Sequence, residues 1–164
     1  MAYKIKQVRS RQKLENVRKS FSPKCGNEVH VVCENHLWNE FYPRTKTILM
    51  NNTRSFFING AVVRGYTPAD NPNTIWLRDH THNMKGVKYF ERDLKSVADY
   101  FFGQQLPNGS YYDYLGKGRS DEILHVRIDN EADVEYHMVD LVHQVWQATG
   151  DDDWYLHRNL RSDF

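Results

Sequence analysis

NTIWLRDHTHNMKGVKYF, residues 73–90, brings a tryptophan, an arginine, an aspartate and two histidines together between Trp76 and His82, then takes on helical character. Three chemistries fit such a gathering: a metal site, a sugar-binding site, or the ordinary start of a helix. Its reading decides what the helices that follow are for.

A metal site is the weakest of the three. His80 and His82 stand at i and i+2, which is one face of a strand but two faces of a helix. Further ligands would have to come from His125, His137 or His143, and no fixed spacing ties these to the pair, unlike a His-Glu-x-x-His helix. No metal and no cofactor are therefore expected. Nucleophilic chemistry has no better support. There is no Gly-x-Ser-x-Gly elbow, and Cys25 and Cys33 carry no local signature and read as two separate thiols. GKGRS, residues 116–120, lacks the strand-to-helix context of a phosphate loop.

Working outward, the spacing predicts a helix over about 80–90 and a second over about 91–105, where Leu94, Val97, Ala98, Phe101 and Phe102 recur at three and four residues. LPNGSYYDYLGKGRSDE, residues 106–122, reads as a long loop with three glycines and three tyrosines, and long loops in compact domains are often functional. A further helix begins near Asp133, with Val134, Met138, Leu141, Val142 and Val145 on one face. Thr149-Gly150-Asp151 ends it. Upstream, FFINGAVV (56–63) is a hairpin signal, because Asn59-Gly60 suits a type I′ turn with positive φ at both central residues. Residues 65–73 read as loop and 29–33 as strand. Residues 35–42 read as a helical turn ended by Pro43, and 3–20 as polar and weakly helical. The chain thus divides into a β-rich and linker region, 1–72, and a helical region, 73–164. The fold class is mainly α with an N-terminal β-hairpin.

Composition narrows the partners. The 164 residues suffice for one domain with a core. With 22 basic and 21 acidic side chains, no basic excess favours nucleic acid. The basic stretch Lys4–Lys19 reads as a solvated helix or tail. No apolar run approaches the roughly 20 residues that span a bilayer, so no membrane partner is expected and the protein is read as cytoplasmic. The 4 Trp, 10 Tyr and 8 Phe fill cores but also make platforms on which ligands stack.

Carboxylates offer the richest chemistry. DNEADVEY, residues 129–136, sets Asp129, Glu131, Asp133 and Glu135 at alternate positions before the apolar helix. Acids favour a helix N-terminus, and Asp133 fits an N-cap. Four are more than capping requires. Their mutual repulsion should raise the pKa of one, as a general acid near neutrality needs. Arg78-Asp79 reads in similar terms: a rigid donor fork beside an acceptor suits neighbouring hydroxyls of a sugar, and Trp76 gives the apolar face of the ring a surface. The plain alternative is a surface ion pair beside a core tryptophan.

Together, NTIWLRDHTHNMKGVKYF, QQLPNGSYYDYL and NEADVEYHMVDLVHQVWQATGDDDWY resemble the six-hairpin, or (α/α)6-barrel, glycoside hydrolases. The likeness is nearest to the exo-acting α-mannosidase and glucoamylase-like branches, and it spans residues 56–160. It implies a partial (α/α)6 barrel and hydrolysis of terminal, α-linked glycosidic bonds with inversion, on a carbohydrate substrate. By this resemblance Arg78 and Asp79 hold the sugar of the first subsite, Trp76 and His80 line it, and Tyr111, Tyr112 and Asp113 lie on a loop at the same mouth. Asp133 matches the acid position best by its spacing to Thr149-Gly150, with Glu135 next and Glu131 third.

An inverting hydrolase also needs a second carboxylate, about 6.5–9.5 Å from the first, to activate water. In the family this base comes much later in the chain than anything found here. Twelve helices of roughly 11–12 residues with connections of roughly 4–6 need about 175–215 residues. The chain therefore reads as the opening part of a barrel. By itself it would be inactive, and exposed helix faces would favour self-association. Two other readings stand beside this one: a carbohydrate-binding module that does not cleave, and an interaction protein in which the acids cap a helix.

Overall fold

The computed structural model describes residues 34–68 and 73–159. The polar stretch 3–20, the strand expected at 29–33, Cys25 and Cys33 lie outside the described residues. Within them are five helices and two small antiparallel sheets. No helix of the described residues is long and apolar enough to cross a membrane.

Helix α1 spans His36–Asn51, and the Asn35 side chain caps it by accepting the Leu37 N–H at 3.0 Å. The expected stop at Pro43 is wrong: the proline stands inside the helix. It removes one N–H from the ladder, at a typical cost of about 3 kcal/mol. The helix runs on through it, with local side-chain contacts on either side. Arg44 pairs with Glu40 one turn back at 2.7 Å, and Thr47 Oγ1 donates to the Pro43 carbonyl at 3.0 Å. Near its end Leu49 packs on the core and the Lys46 ammonium lies over the Phe90 ring.

Strands β1 (Thr53–Ile58) and β2 (Ala61–Tyr66) form the expected hairpin. Asn59 and Gly60 have φ of 50° and 82°, the double positive φ that a type I′ turn requires. Register puts the Phe56/Val63 pair inward and the Phe57/Val62 pair outward, 72% and 53% exposed.

Strand β3 (Thr74–Trp76) runs directly into α2 (Leu77–Val87), which begins earlier than expected. Helix α3 is Ser96–Gly103, shorter than the expected 91–105. Residues 91–95 are spent on a turn. Glu91 Oε1 accepts the Arg92 and Asp93 N–H groups, and Asp93 Oδ1 accepts the Ser96 N–H at 3.0 Å. The segment 106–122 is not all loop. Strand β4 (Tyr114–Lys117) lies within it and pairs on one side with β3 and on the other with β5 (Ile123–Val126). Helix α4 is Val134–Thr149, ended as expected by Gly150 in the left-handed conformation at φ 65°. Helix α5 (Asp152–Asn159) returns to α3 through the Trp154 indole N–H, which donates to Asp99 at 2.8 Å.

One core joins these elements. Phe56, Ile58, Val63 and Tyr66 of the hairpin meet Ile75, Leu77, Met84 and Val87, then Val97 and Phe101, and finally Met138, Leu141 and Val145 of α4. Helices α2 and α4 face each other, and polar stitches fix their register. Thr81 Oγ1 donates to the His137 carbonyl at 3.2 Å, and Gln144 Nε2 to the Thr81 carbonyl at 3.3 Å.

Gly65 is where hairpin and core come closest. A Cβ there would lie 2.7 Å from Ile75 Cγ2 and 3.0 Å from Val97 Cγ2. Both neighbours are β-branched and stiff. Gly65→Ala should lower stability by about 1–3 kcal/mol in urea unfolding, the usual range for overpacking. An unchanged midpoint would show that the hairpin can lift off the core at no cost.

Candidate functional site

The start of α2 is fixed by main-chain bonds. Register of β3 with β4 buries Ile75 and leaves Trp76 half-buried, and the Leu77 N–H donates to the Asp113 carbonyl at 2.8 Å. Arg78 and Asp79 then occupy the first helical turn, both half-buried. The Arg78 guanidinium crosses to the acidic string. It pairs with Glu131, and its Nη1 lies 3.5 Å from Asp133 Oδ1. Segments 53 and 55 residues apart thus meet at one cation. The pairing holds the arginine pKa above its ordinary value, chiefly through the Glu131 hydrogen bond.

Asp133 stands at the head of α4, yet its side chain makes no capping hydrogen bond. Its Oδ2 lies 3.3 Å from His137 Nε2 instead. Crowding is expected to raise the pKa of one acid of the string, and Asp133 is not that one. Desolvation pushes it up, but Arg78, backbone hydrogen bonding and His137 together hold it below its ordinary value.

A second cation, Arg127, sorts the remaining acids. Its Nη1 donates to the Tyr111 carbonyl and its Nη2 to the Glu131 carbonyl, each at 2.9 Å, and Nη1 lies 3.1 Å from Glu135 Oε1. Glu135 Oε1 also accepts the Tyr111 N–H at 3.1 Å. Of the string, Glu131 and Asp133 therefore face Arg78, Glu135 faces Arg127, and Asp129 is exposed. Asp113 is buried beneath, accepting the Ile128 N–H at 2.6 Å. Burial raises its pKa against that hydrogen bond and the nearby Arg127. Sequence reasoning missed Arg127. The signal was a lone basic residue among acids in HVRIDNEADVE.

His80 is not part of this cluster. It is 1% exposed, its Nδ1 accepts the Tyr66 N–H at 3.2 Å, and its ring stacks on Tyr66 in the core. A ligand at Arg78 would have no access to it, so its assignment to substrate contact gives way to a framework role. Beside it, Glu91 accepts the Tyr66 hydroxyl at 2.6 Å and Arg64 Nε at 3.1 Å. Burial holds His80 down to about pH 4.

The aromatics divide between the two faces of the sheet. Trp76 and Tyr114 are register partners whose rings lie 4.4 Å apart, tilted by 38°. Tyr111 is buried at 8% exposure, and half-buried Tyr112 packs against His125, whose Nε2 meets the Tyr100 hydroxyl at 2.6 Å. Among the described residues no set of three or more His, Cys, Asp or Glu side chains is placed to hold a metal ion.

No family model matches the chain, and comparison with curated proteins and with solved structures finds no match either.

Arg127→Met should lower stability by on the order of 2 kcal/mol, since it strips two carbonyls and a carboxylate of their donor. Lysine should not rescue it, because one ammonium cannot reproduce the planar fork. Hydrogen exchange at 128–131 should quicken in both variants. His80 gives a pH test. In the unfolded chain it takes up a proton near 6.5, while the folded chain refuses one until about 4. Stability should thus fall as pH drops between those values, by up to about 3 kcal/mol at roughly 1.36 kcal/mol per unit. His80→Phe, whether more or less stable at pH 7, should flatten that slope.

Proposed function

We propose that this chain is part of a six-hairpin glycosidase catalytic unit, in which Arg78 and Asp79 hold a terminal sugar and Asp133 protonates the leaving oxygen of an α-linked bond, with inversion. In this reading α2 and α4 are wall helices of a partial (α/α)6 barrel, and their first turns lie at its mouth. One observation carries the proposal: the Trp-x-Arg-Asp segment and the acidic string, far apart in sequence, share one guanidinium. Trp76 stands two residues from the fork and is half-buried, as a stacking surface for a pyranose should be. Tyr112 stays accessible enough to contribute, whereas Asp113, Tyr111 and Glu135 support the loop from behind. Glu131 is better suited to orient Arg78 than to donate a proton.

The water-activating carboxylate would come from a segment other than these, since Glu131 and Glu135 are already engaged by arginines. Exposed apolar side chains on α4 (Tyr136, Val139) and on α1 (Leu37, Trp38, Phe41, Ile48) support faces that expect neighbours, from a longer chain or from self-association. A second reading, carbohydrate binding without cleavage, is favoured by the lowered pKa of Asp133, which keeps the carboxyl ionised while Arg78 is at hand. In the hydrolytic reading, sugar hydroxyls take over Arg78 and free Asp133 to hold a proton.

The test is hydrolysis of aryl α-glycosides by the native-length product. Asp133→Asn should lower kcat by about 100-fold or more, the scale of losing a general acid. Arg78→Lys should raise KM more than it lowers kcat. Full turnover in Asp133→Asn would remove the acid role. Saturable sugar binding, read by Trp76 fluorescence in a protein with no hydrolytic turnover at all, would establish the second reading.

A further inference from the structure

We propose that His137 is a positioning residue for the Asp133 carboxyl, reserving Oδ2 for itself so that the transferable proton resides on Oδ1. The inference rests on the reading of Asp133 as the acid. The geometry behind it is specific. The two oxygens of Asp133 face different partners: Oδ1 faces Arg78 at 3.5 Å, and Oδ2 faces His137 Nε2 at 3.3 Å. Neither is spent on capping α4.

The His137 ring is 5% exposed, and its Nδ1 has no hydrogen-bond partner among the described residues. A carboxylate can only accept, so Nε2 must carry a hydrogen, and in the neutral ring Nδ1 then holds the lone pair. A buried lone pair left without a donor is costly, so the ring is held by its contact with Asp133 against a penalty at its other end. Its packing is otherwise aromatic: the His82 ring meets it edge-on at 4.9 Å and the Tyr136 ring at 5.3 Å.

The consequence concerns which oxygen reacts. When a sugar occupies Arg78, Oδ1 loses its cation while Oδ2 still accepts from Nε2–H. A proton taken from solvent then binds the oxygen without a donor, Oδ1, which faces the sugar. In the transfer the Oδ1–H bond breaks and the leaving glycosidic oxygen gains that proton. The carboxylate left behind keeps its hydrogen bond from His137, which neither gives nor gains a proton. The charged and titratable groups facing this unit are Arg78 from α2, itself paired with Glu131 and next to Asp79, and against the imidazole His82 from α2 and Tyr136 from α4.

The decisive experiment is NMR on the 164-residue chain. Nitrogen shifts of His137 report its tautomer, and the carboxyl carbon of Asp133 reports its titration, in wild type, His137→Leu and His137→Gln. We expect the Nε2–H tautomer in wild type, an upward move of the Asp133 midpoint in the leucine variant, and recovery toward wild type with glutamine, which restores a donor. The Nδ1–H tautomer in wild type would overturn the proposal even if no variant folds. So would an unmoved Asp133 midpoint in a folded leucine variant. In the native-length hydrolase, the leucine variant should move the basic limb of the kcat/KM profile to higher pH, and glutamine should move it back, with KM little changed. Absence of hydrolysis in the wild-type protein would sink the glycosidase reading while leaving the NMR result to decide the His137–Asp133 pairing.

Discussion

Residues 111–113 carry the junction of this fold, and Arg127 makes their burial tolerable. The start of α2 hangs on them through Leu77 N–H and the Asp113 carbonyl. The start of α4 hangs on them through Glu135 and the Tyr111 N–H. Strand β5 reaches them through the Val126 carbonyl, which accepts the Asp113 N–H at 2.8 Å. Such a junction gathers carbonyls and carboxylates, and without a cation it would be a cluster of buried acceptors. The Arg127 fork donates to two of the carbonyls and faces both carboxylates. Its planarity lets one side chain do this, where an ammonium would serve fewer partners.

With that junction fixed, the alternation of acids gains a meaning that composition could not supply. Asp133 and Glu135, two apart at the head of a helix, stand about 200° apart around its axis, so a string of alternate acids can be shared between two cations. From α2, Arg78 takes Glu131 and Asp133, and Arg127, just past the end of β5, takes Glu135. Repulsion among the acids, which would otherwise raise a carboxyl pKa, is cancelled locally by guanidinium. That is why Asp133 lies low and why the carboxyl whose pKa rises is Asp113, where burial outweighs its partners.

Much of this was legible, and the failures have physical causes. The hairpin could be read because Asn59-Gly60 fixes two positive φ values, a local constraint that needs no tertiary help. Helix α4 could be read because its apolar face is long and its stop is a left-handed glycine. Pro43 misled because a proline inside a helix is costly but not forbidden, and the contacts that tie the end of this helix to the rest of the fold, Leu49 on the core and Lys46 over Phe90, are tertiary and leave no local signal. Strands β4 and β5 are four residues each, with Gly116 in the middle of one, too short for a period of two to declare itself. His80 was assigned to the site only with the segment that carries the resemblance. On a helix residues two apart point about 200° apart, so Arg78 reaches the acids while His80 turns into the core. The meeting of Arg78 with Asp133 was expected only through a resemblance, because no local pattern measures the distance between segments 55 residues apart.

On the proposed carbohydrate reading, a guanidinium already closed on its own carboxylates raises a question of competition: can a neutral sugar displace them? The exposures decide it. The side chains of Arg78, Glu131 and Asp133 are 33%, 25% and 49% exposed, so water screens the pair. Partly exposed ion pairs contribute about 0–1 kcal/mol. Giving up the longer contact, to Asp133, costs less than giving up the bond to Glu131. Arg78 can therefore stay anchored by Glu131 and, in that reading, turn its remaining N–H groups to the hydroxyls of the proposed ligand. Burying the pair more deeply would lock the fork, and exposing it fully would leave the fork without a fixed direction. The observed half-burial keeps the guanidinium aimed while its outer contact remains exchangeable.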